Sequence, residues 1–300
     1  MVSSPTGRSL AFTGPEAANA PALTIGEEPP MTTDFVTSGD AEIAVRIDGA
    51  AHLPWIVLSN SLAADLTMWD DQIPFLTRSY RVLRYDTRGH GKSSAPAGPY
   101  SFDSLVGDLV AVMDHFGIKQ ADILGLSMGG MTALGLGLRS PDRVGRLICA
   151  DARADAPPAF VAGWDQRIAA VEAGGMAAIL SGTLERWFTA ATRETRPEVV
   201  DRAARMVLST SPVGYIGCAN ALKGLDYLRH LTRMEPPTLY LVGAEDGAAP
   251  ADAMRQMAAE TPRGRFEMLP AVAHIANMED AAGFNRAVGD FLDISRQAAE

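Results

Sequence analysis

The sequence predicts an α/β fold, in which helices cover both faces of a mostly parallel β-sheet and a helical cap is inserted. Short apolar runs alternate with helix-like segments from about residue 55 to 150 and again from about residue 238. That alternation is typical of a parallel sheet between two layers of helices. Over residues 152–234 the alternation stops and helical spacing continues. We therefore expect this insertion to cover the carboxyl ends of the strands, where such sheets carry their sites.

The length and composition of the chain limit the possible number of domains. Of the 300 residues, 47% are apolar, which suits one large domain or a core domain with an insertion. Residues 1–30 are rich in Pro, Ala, Gly and Ser and show no hydrophobic period, so we predict a flexible N-terminal tail there. The predicted core comprises residues 31–151 and 235–300, and the predicted cap comprises residues 152–234.

Charge, hydropathy and cysteine content indicate which partners and which cellular location to expect. The formal net charge is −10 and no basic stripe occurs, so we expect no nucleic-acid partner. No apolar run approaches the ~20 residues of a membrane span, and the first thirty residues lack the pattern of a signal peptide. Cys149 and Cys218 lie far apart in the sequence and read as free thiols of a cytoplasmic protein. The sequence does not fix the oligomeric state.

A β-hairpin begins the predicted fold. Alternating Ile43, Val45 and Ile47 follow residues 35–36 and the turn Ser38-Gly39-Asp40, a pattern typical of antiparallel strands. Apolar runs bounded by turn signals predict buried strands, namely residues 55–58, 80–85, 121–125, 146–150, 238–242 and 265–269. Apolar residues three and four apart predict helices. These are a helix carrying Trp69, Ile73, Phe75 and Leu76, then residues 102–116, 131–139, 164–171, 177–188, 199–208, 251–260 and 281–295.

The stretch Gly125-Leu126-Ser127-Met128-Gly129 joins a predicted buried strand to a predicted helix. The pattern G-x-S-x-G in that position is typical of a nucleophile elbow, a strained turn that holds the serine at a helix N-terminus. The flanking glycines let the strand and the helix approach closely, and the free N–H groups of the helix favour developing negative charge. An ordinary glycine-rich turn is the alternative. We predict that Ser127 is a nucleophile.

A serine nucleophile needs a base and an acid that orients the base. His274 lies between the strand over residues 265–269 and the last helix, and we predict it as the base. Asp246 follows the strand over residues 238–242, which gives the order Ser, Asp, His, and we predict it as the acid. Asp151 is the alternative acid. Glu245 directly precedes Asp246, so its side chain should point away from the site. The remaining histidines read as structural or surface residues: His52, His90, His115 and His230.

Backbone N–H groups are expected to bind the oxyanion. The Met128 N–H at the helix start is one predicted donor, and the Leu62 N–H, in the loop after the first core strand, is the other. No metal-ligand spacing and no G-x-G-x-x-G between a strand and a helix occur. We therefore expect no metal and no cofactor.

Several segments form a recognisable set. They are Ser59-Asn60-Ser61-Leu62, residues 84–91, residues 125–131 and Ala273-His274 in the core, with residues 164–171, 174–179, 184–189 and 214–218 in the cap. In these segments the chain resembles the 3-oxoadipate enol-lactonases of the α/β-hydrolase superfamily, over about residues 33–292. The Ser-Asn-Ser-Leu loop is the most telling, because most of that superfamily has His-Gly there.

The resemblance implies an α/β-hydrolase fold with an inserted helical cap. It implies a carboxylic ester hydrolase that opens the enol-lactone of the β-ketoadipate pathway to 3-oxoadipate, a step in bacterial breakdown of aromatic compounds. Since the substrate carries a carboxylate, cap arginines are candidates to bind it and cap tryptophans to form apolar walls. The candidates lie in the matching segments and are Trp164, Arg167, Arg186 and Trp187.

The chain also departs from the family pattern. Ala63 stands where the family tends to have Gly, residues 151–154 carry charges in place of a more neutral Asn-Thr-Ala stretch, and no proline follows Asp246 directly. These differences leave open a carboxylesterase or lactonase of other specificity. A cofactorless perhydrolase and a non-hydrolytic receptor of the same fold are further alternatives.

Overall fold

The computed structural model of the protein describes residues 33–294 together with Met1. Apart from Met1, the predicted tail over residues 1–30 lies outside the described residues, as do residues 295–300. Eight strands form one sheet in the described part, and their bounds are β1 (Asp34–Ser38), β2 (Ala41–Asp48), β3 (Trp55–Ser59), β4 (Arg81–Tyr85), β5 (Ala121–Leu126), β6 (Val144–Ala150), β7 (Thr238–Gly243) and β8 (Gly264–Leu269).

The sheet is mostly parallel, which confirms the predicted fold class. Its strand order is β1-β2-β4-β3-β5-β6-β7-β8. The pairs β1–β2 and β2–β4 are antiparallel, as the predicted hairpin requires, and the five remaining pairs are parallel. Every residue of β5 and of β7 is buried. Because successive side chains of a strand point to opposite faces, both faces of the sheet are covered.

Helices connect the strands. Their bounds are α1 (Ile73–Leu76), α2 (Phe102–His115), α3 (Met128–Arg139), α4 (Pro158–Gly174), α5 (Leu180–Trp187), α6 (Ala190–Thr195), α7 (Pro197–Ser209), α8 (Pro212–Lys223), α9 (Ala251–Glu260), α10 (Ala276–Glu279) and α11 (Ala281–Phe291). Helix α3 packs against β3, β5 and β6, and α9 packs against β7 and β8. The central strands are thereby enclosed by apolar side chains of the helices.

Helices α4 to α8 lie in the chain between β6 and β7, where the cap is predicted. Within this segment α4 packs against α8, and α5 and α6 pack against α7. An isolated antiparallel β-bridge joins Asp155 to Asp226, close to the points where the chain leaves the core and returns to it. The division of the chain at residues 152 and 234 stays a prediction.

Two predicted helices are interrupted in the structure. In place of one helix from Trp69 to Leu76 there is a 3₁₀ turn, Leu66–Trp69, and then the short α1. Pro74 lies in the first turn of α1 and has no N–H to donate, so a helix cannot run through it from the preceding turn. In place of one helix over residues 177–188 there is a 3₁₀ turn, Met176–Ile179, followed by α5.

Two helix ends also differ from the prediction. The helix after the elbow begins at Met128 rather than at residue 131, directly behind Ser127. The last helix, predicted to reach residue 295, ends at Phe291, and two residues later Asp293 has a positive φ of 54°. Such a conformation does not continue a right-handed helix.

None of the helices in the described part is long and apolar enough to cross a membrane.

A glycine pair forms the contact between the loop after β4 and α8. Gly89 has a φ of +77°, and a Cβ built on it would lie 2.2 Å from the Cα of Gly214 in α8. Backbone therefore packs directly on backbone, and no side chain can enter this contact.

We expect Gly89→Ala to lower the free energy of unfolding by more than ~2 kcal/mol, because it combines a left-handed backbone with a backbone clash. The matched control is Gly117→Ala, whose φ is +67° but whose Cβ would meet nothing within 4 Å. That change should cost only about 1 kcal/mol. Urea unfolding of both variants measures the difference. Equal costs would contradict a tight contact at Gly89.

Candidate active site

Ser127 occupies a strained turn between β5 and α3. Its φ is 56° and its ψ is −119°, a conformation that residues other than glycine rarely adopt. The turn is possible because its neighbours lack side chains. A Cβ on Gly125 would lie 2.2 Å from the Gly129 carbonyl oxygen, and a Cβ on Gly129 would lie 2.0 Å from the Ser59 carbonyl oxygen. The elbow predicted from G-x-S-x-G is therefore present as a backbone structure.

The three residues predicted for catalysis lie in one line of hydrogen bonds. His274 Nε2 is 2.9 Å from Ser127 Oγ, and His274 Nδ1 is 2.8 Å from Asp246 Oδ2. The other carboxylate oxygen, Oδ1 of Asp246, accepts from the N–H groups of Ala248 and Ala249 at 2.7 and 3.0 Å. Those bonds orient the carboxylate so that Oδ2 accepts from His274, which places the imidazole proton on Nδ1. Nε2 is then free to accept the serine proton.

The alternative acid, Asp151, does not bond to the histidine. It is fully buried and has a φ of 46°, and its Oδ1 accepts from the Gly243 N–H at 2.8 Å. Burial, and then the negative charge of Asp246, raise the pKa of Asp151 well above its usual range. Asp151 therefore ties the end of β6 to the end of β7, and its burial disfavours the ionised form. Glu245 is exposed and faces elsewhere, as predicted.

In the described part of the chain, the two N–H groups predicted to bind the oxyanion make no hydrogen bond to other protein groups. Met128 is the first residue of α3, so its N–H has no partner within the helix. Leu62 lies in a turn that the Ala64 N–H closes on the Ser61 carbonyl at 3.2 Å. In the described part of the chain neither the Leu62 N–H nor the Met128 N–H donates a hydrogen bond to protein. Ala63 takes the positive φ (63°) of this turn, where glycine is more usual.

Asn60 anchors the loop that carries Leu62. Its side chain donates to the Tyr85 carbonyl at 2.8 Å and accepts from Trp69 Nε1 at 2.8 Å. The loop is thus fixed to β4 on one side and to the 3₁₀ turn on the other. This role of Asn60 is not predictable from the sequence, because the spacing does not reveal either partner.

Glu279 holds the loop that carries His274. It is buried, and its Oε2 accepts from the Ala273 N–H at 2.6 Å. Its Oε1 accepts from the N–H and the hydroxyl of Thr189, at 2.8 and 2.7 Å. Thr189 is the N-cap of α6. No local pattern marks this residue, because its partners are 6 and 90 positions away in the chain.

His90, predicted as a structural residue of its loop, is buried, and its Nδ1 lies 3.0 Å from the Arg88 carbonyl. Burial lowers the pKa of His90 to about 4. It is therefore neutral at ordinary pH, and its bond to the backbone supports a structural role.

A cavity of about 320 Å³ lies over Ser127 and His274. All four cap candidates line it, together with Leu62 from the predicted oxyanion loop. The aromatic residues lining it include Phe160, Trp164, Trp187 and Tyr215, and the cationic ones are Arg153, Arg167 and Arg186. The cavity therefore combines apolar walls with positive charge.

The two candidate arginines lack anionic partners. Arg167 lies over the Trp164 ring at 4.4 Å, and Arg186 donates to Thr183 Oγ1 at 3.2 Å. Among the residues that the structure describes, neither forms an ion pair with a carboxylate. Burial lowers the pKa of both, and Arg167 lowers that of Arg186 further by repulsion. Burial also raises the pKa of Tyr215, to about 12, although these two arginines act to lower it. Unpaired guanidinium groups in a cavity favour an anionic ligand.

No group of three or more His, Cys, Asp or Glu side chains within residues 33–294 could hold a metal ion.

Comparisons with known proteins agree with this architecture. Residues 54–281 match the family model described as the alpha/beta hydrolase fold. The chain therefore belongs to the α/β-hydrolase fold family. Within it the chain groups with the 3-oxoadipate enol-lactonases, and it is a carboxylic ester hydrolase.

Two enol-lactonase relatives support that grouping, and a third protein, a hydrolase, shares the fold. The chain is 35% identical over 255 residues to 3-oxoadipate enol-lactonase 2 of Acinetobacter baylyi, covering 85% of this chain and 94% of the relative. The solved enol-lactonase from Burkholderia xenovorans LB400 is 37% identical, with a TM-score of 0.83 over 87% of this chain and 100% of that one. A hydrolase from Pseudomonas aeruginosa PA01 is 41% identical, with a TM-score of 0.83 over 87% of this chain and 98% of that one.

Removing the Ser127 hydroxyl tests its predicted role. We expect Ser127→Ala to lower kcat by roughly 10⁴–10⁶ without unfolding the protein, because the attacking atom is lost. A serine-reactive phosphonate should add once to the wild type and not to the variant. Mass spectrometry locates the adduct, and thermal unfolding checks the fold. Retained activity with labelling at another serine would refute the prediction.

The two buried aspartates give opposite expectations. Asp246→Asn should lower kcat by roughly 10⁴, because an amide stabilises the wrong histidine tautomer. Asp151→Asn should cost far less, since an amide oxygen still accepts from the Gly243 N–H. Steady-state kinetics of both variants on one ester rank the two residues. The reverse order would assign the orienting role to Asp151.

Proposed function

We propose that the protein hydrolyses 3-oxoadipate enol-lactone to 3-oxoadipate through an acyl-enzyme on Ser127. The observation that carries this proposal is that the hydrogen-bonded line of Ser127, His274 and Asp246 opens on a cavity with two unpaired arginines. The names of the two enol-lactonase relatives support the lactone as substrate. The reaction would serve aromatic breakdown in the cytoplasm, in keeping with the buried free thiols Cys149 and Cys218.

Acylation begins at the serine. His274 Nε2 takes the proton of Ser127 Oγ as that oxygen attacks the lactone carbonyl carbon, and Asp246 stabilises the imidazolium. The carbonyl oxygen becomes negative and accepts hydrogen bonds from the N–H groups of Leu62 and Met128. Donors held in place before the reaction need no reorganisation as the charge develops, which lowers the barrier.

Ring opening and hydrolysis complete the reaction. The carbonyl carbon–ring oxygen bond breaks, and the leaving enolate receives the proton from His274. Because the substrate is a lactone, this enol stays tethered to the acyl group on Ser127. A water molecule then loses a proton to His274 and attacks the acyl carbon, and Ser127 leaves with that proton. Net, one water is added, the new carboxylic acid releases one proton to solvent and becomes a carboxylate, and the enol tautomerises to the ketone.

Local cations are needed to bind this substrate. The lactone carries a carboxylate, whereas the protein has a net charge of −10, so long-range electrostatics oppose its approach. Arg167 and Arg186 offset that repulsion within the cavity. Both are partly buried and, among the described residues, form no ion pair with a carboxylate, so a substrate anion gains charge-assisted hydrogen bonds there. We assign the substrate carboxylate to this pair and the ring to the walls formed by Trp164 and Trp187.

Comparing the enol-lactone acid with its methyl ester tests this assignment. An arginine–carboxylate contact that is partly shielded from water should favour the acid by roughly 10- to 100-fold in kcat/KM, about 1.5–3 kcal/mol. Lactone opening is followed for both substrates on the wild type, Arg167→Ala and Arg186→Ala. Each substitution should reduce the preference for the acid.

Arg205→Ala is the matched control. Arg205 is exposed on α7 and does not line the cavity, so its removal changes the net charge equally but should leave the preference intact. Equal rates for acid and ester on the wild type would reject anion recognition. They would favour a general carboxylesterase or a lactonase of other specificity.

A further inference from the structure

A third arginine, Arg153, lines the same cavity from the core side. It lies three residues beyond Ala150, which pairs with Leu126, the residue before Ser127. Its side chain is 14% exposed, so it is largely enclosed but not sealed off. Arg153 thus lines the cavity from the segment that follows β6, and β6 pairs with β5, the strand that precedes Ser127. The mechanism described above makes no use of it.

An aromatic stack separates Arg153 from the other cap arginines. Its guanidinium lies 5.0 Å from the centroid of the Phe160 ring, which contacts Trp164 edge-on at 5.8 Å. Arg167 covers the Trp164 ring at 4.4 Å. Residues 160, 164 and 167 lie on one face of α4, because they are spaced by four and three residues. The cavity therefore has a cation at each end of an aromatic wall.

Only part of the Arg153 guanidinium is engaged. Nη2 donates to Asp155 Oδ1 at 3.0 Å, and Nε approaches the Asp155 carbonyl at 3.4 Å. Within residues 33–294, no protein group accepts from Nη1. Two N–H donors on a positively charged group therefore remain for a ligand. Asp155 holds the guanidinium in place against the Phe160 ring, so less side-chain entropy is lost when an anion binds.

The cavity carries more positive than negative charge, although Arg153 is paired with Asp155. Asp151 is the one carboxyl group that lines the described cavity, and burial raises its pKa well above the usual range. Its neutral form adds no negative charge. The cavity has three guanidinium groups, and among the described residues Asp155, which pairs with Arg153, is their one ion-pair partner. This excess of positive charge favours a ligand with more than one carboxylate.

We propose that Arg153 forms a second carboxylate-binding subsite, so that the cavity binds linear dicarboxylates with one end at Arg167 and Arg186 and the other at Arg153. This inference rests on the proposed function, because hydrolysis of a lactone that bears one carboxylate creates a second carboxylate at the former ester carbon. That carbon lies at Ser127, directly after β5, the strand that pairs with β6. The new carboxylate of the product can then form an ion pair with Arg153, whereas the uncharged ring of the intact lactone cannot. Arg153 makes the enzyme sensitive to inhibition by its own class of product.

Isothermal titration calorimetry with adipate and with adipate monoamide tests the subsite without turnover. The two probes have the same chain length, but the monoamide has one carboxylate and resists hydrolysis better than an ester. We expect the wild type to bind adipate at least ~10-fold more tightly than the monoamide, as for a hydrogen-bonded ion pair partly shielded from water. In Arg153→Gln the ratio of the affinities for adipate and the monoamide should fall at least fivefold, because a neutral glutamine forms no ion pair with the second carboxylate.

Asp155→Asn is the matched control. It breaks the same Arg153–Asp155 ion pair but keeps the arginine, so the preference for adipate should persist or increase. If Asp155→Asn loses the preference as Arg153→Gln does, Arg153 acts only through the ion pair and the inference is wrong. Thermal unfolding of each variant confirms that the protein used for the titrations is folded.

The titrations separate this inference from the proposed function. If the wild type opens the enol-lactone but binds adipate and the monoamide equally, the subsite is refuted and the proposed function stands. If it does not open the lactone yet prefers adipate through Arg153, the dicarboxylate subsite stands and the proposed function fails. Absence of binding by either probe overturns the subsite.

Discussion

The close approach of α3 to the end of β3 is the constraint on which the site depends. Gly129 comes so near the Ser59 carbonyl that no side chain fits between them. This contact brings the first turn of α3, with the Met128 N–H, beside the loop that carries the Leu62 N–H. It also holds Ser127 in a backbone conformation that would relax if the helix could move away. The turn, the serine and the two donors are therefore one packed unit.

The same sheet edge carries two buried carboxyl groups in different states. Asp246 accepts two backbone N–H bonds and faces the histidine, which suits a charge. Asp151, one strand away, is more deeply enclosed, and its burial, followed by the negative charge of Asp246, raises its pKa. If both were ionised, their repulsion would act across the base of the cavity that we propose binds anions. A neutral Asp151 lets the arginines of the cap set the local potential.

The sequence allowed much of this arrangement to be predicted because its signals are local. The G-x-S-x-G turn, the strand periodicity and the order of Ser127, Asp246 and His274 each depend on short stretches of chain. What it could not give are contacts between distant residues, such as Glu279 with Thr189 or Arg153 with Phe160. The helix predicted through residue 76 is interrupted for a local reason, since Pro74 lacks the N–H that a continuous helix needs there. The roles of the cap residues depend on where α4 and α5 lie above the sheet, which no periodicity encodes.

The bonds of Glu279 bear on how a ligand can enter. One buried carboxylate joins the N-terminus of α6 to the backbone next to His274. The cap at this point cannot swing aside as a rigid lid without breaking charge-assisted hydrogen bonds and releasing the histidine loop. Access is therefore expected through side-chain rearrangement around α4, while α6 stays fixed. The part of the cap nearest His274 is therefore expected to keep its position while a ligand enters the cavity.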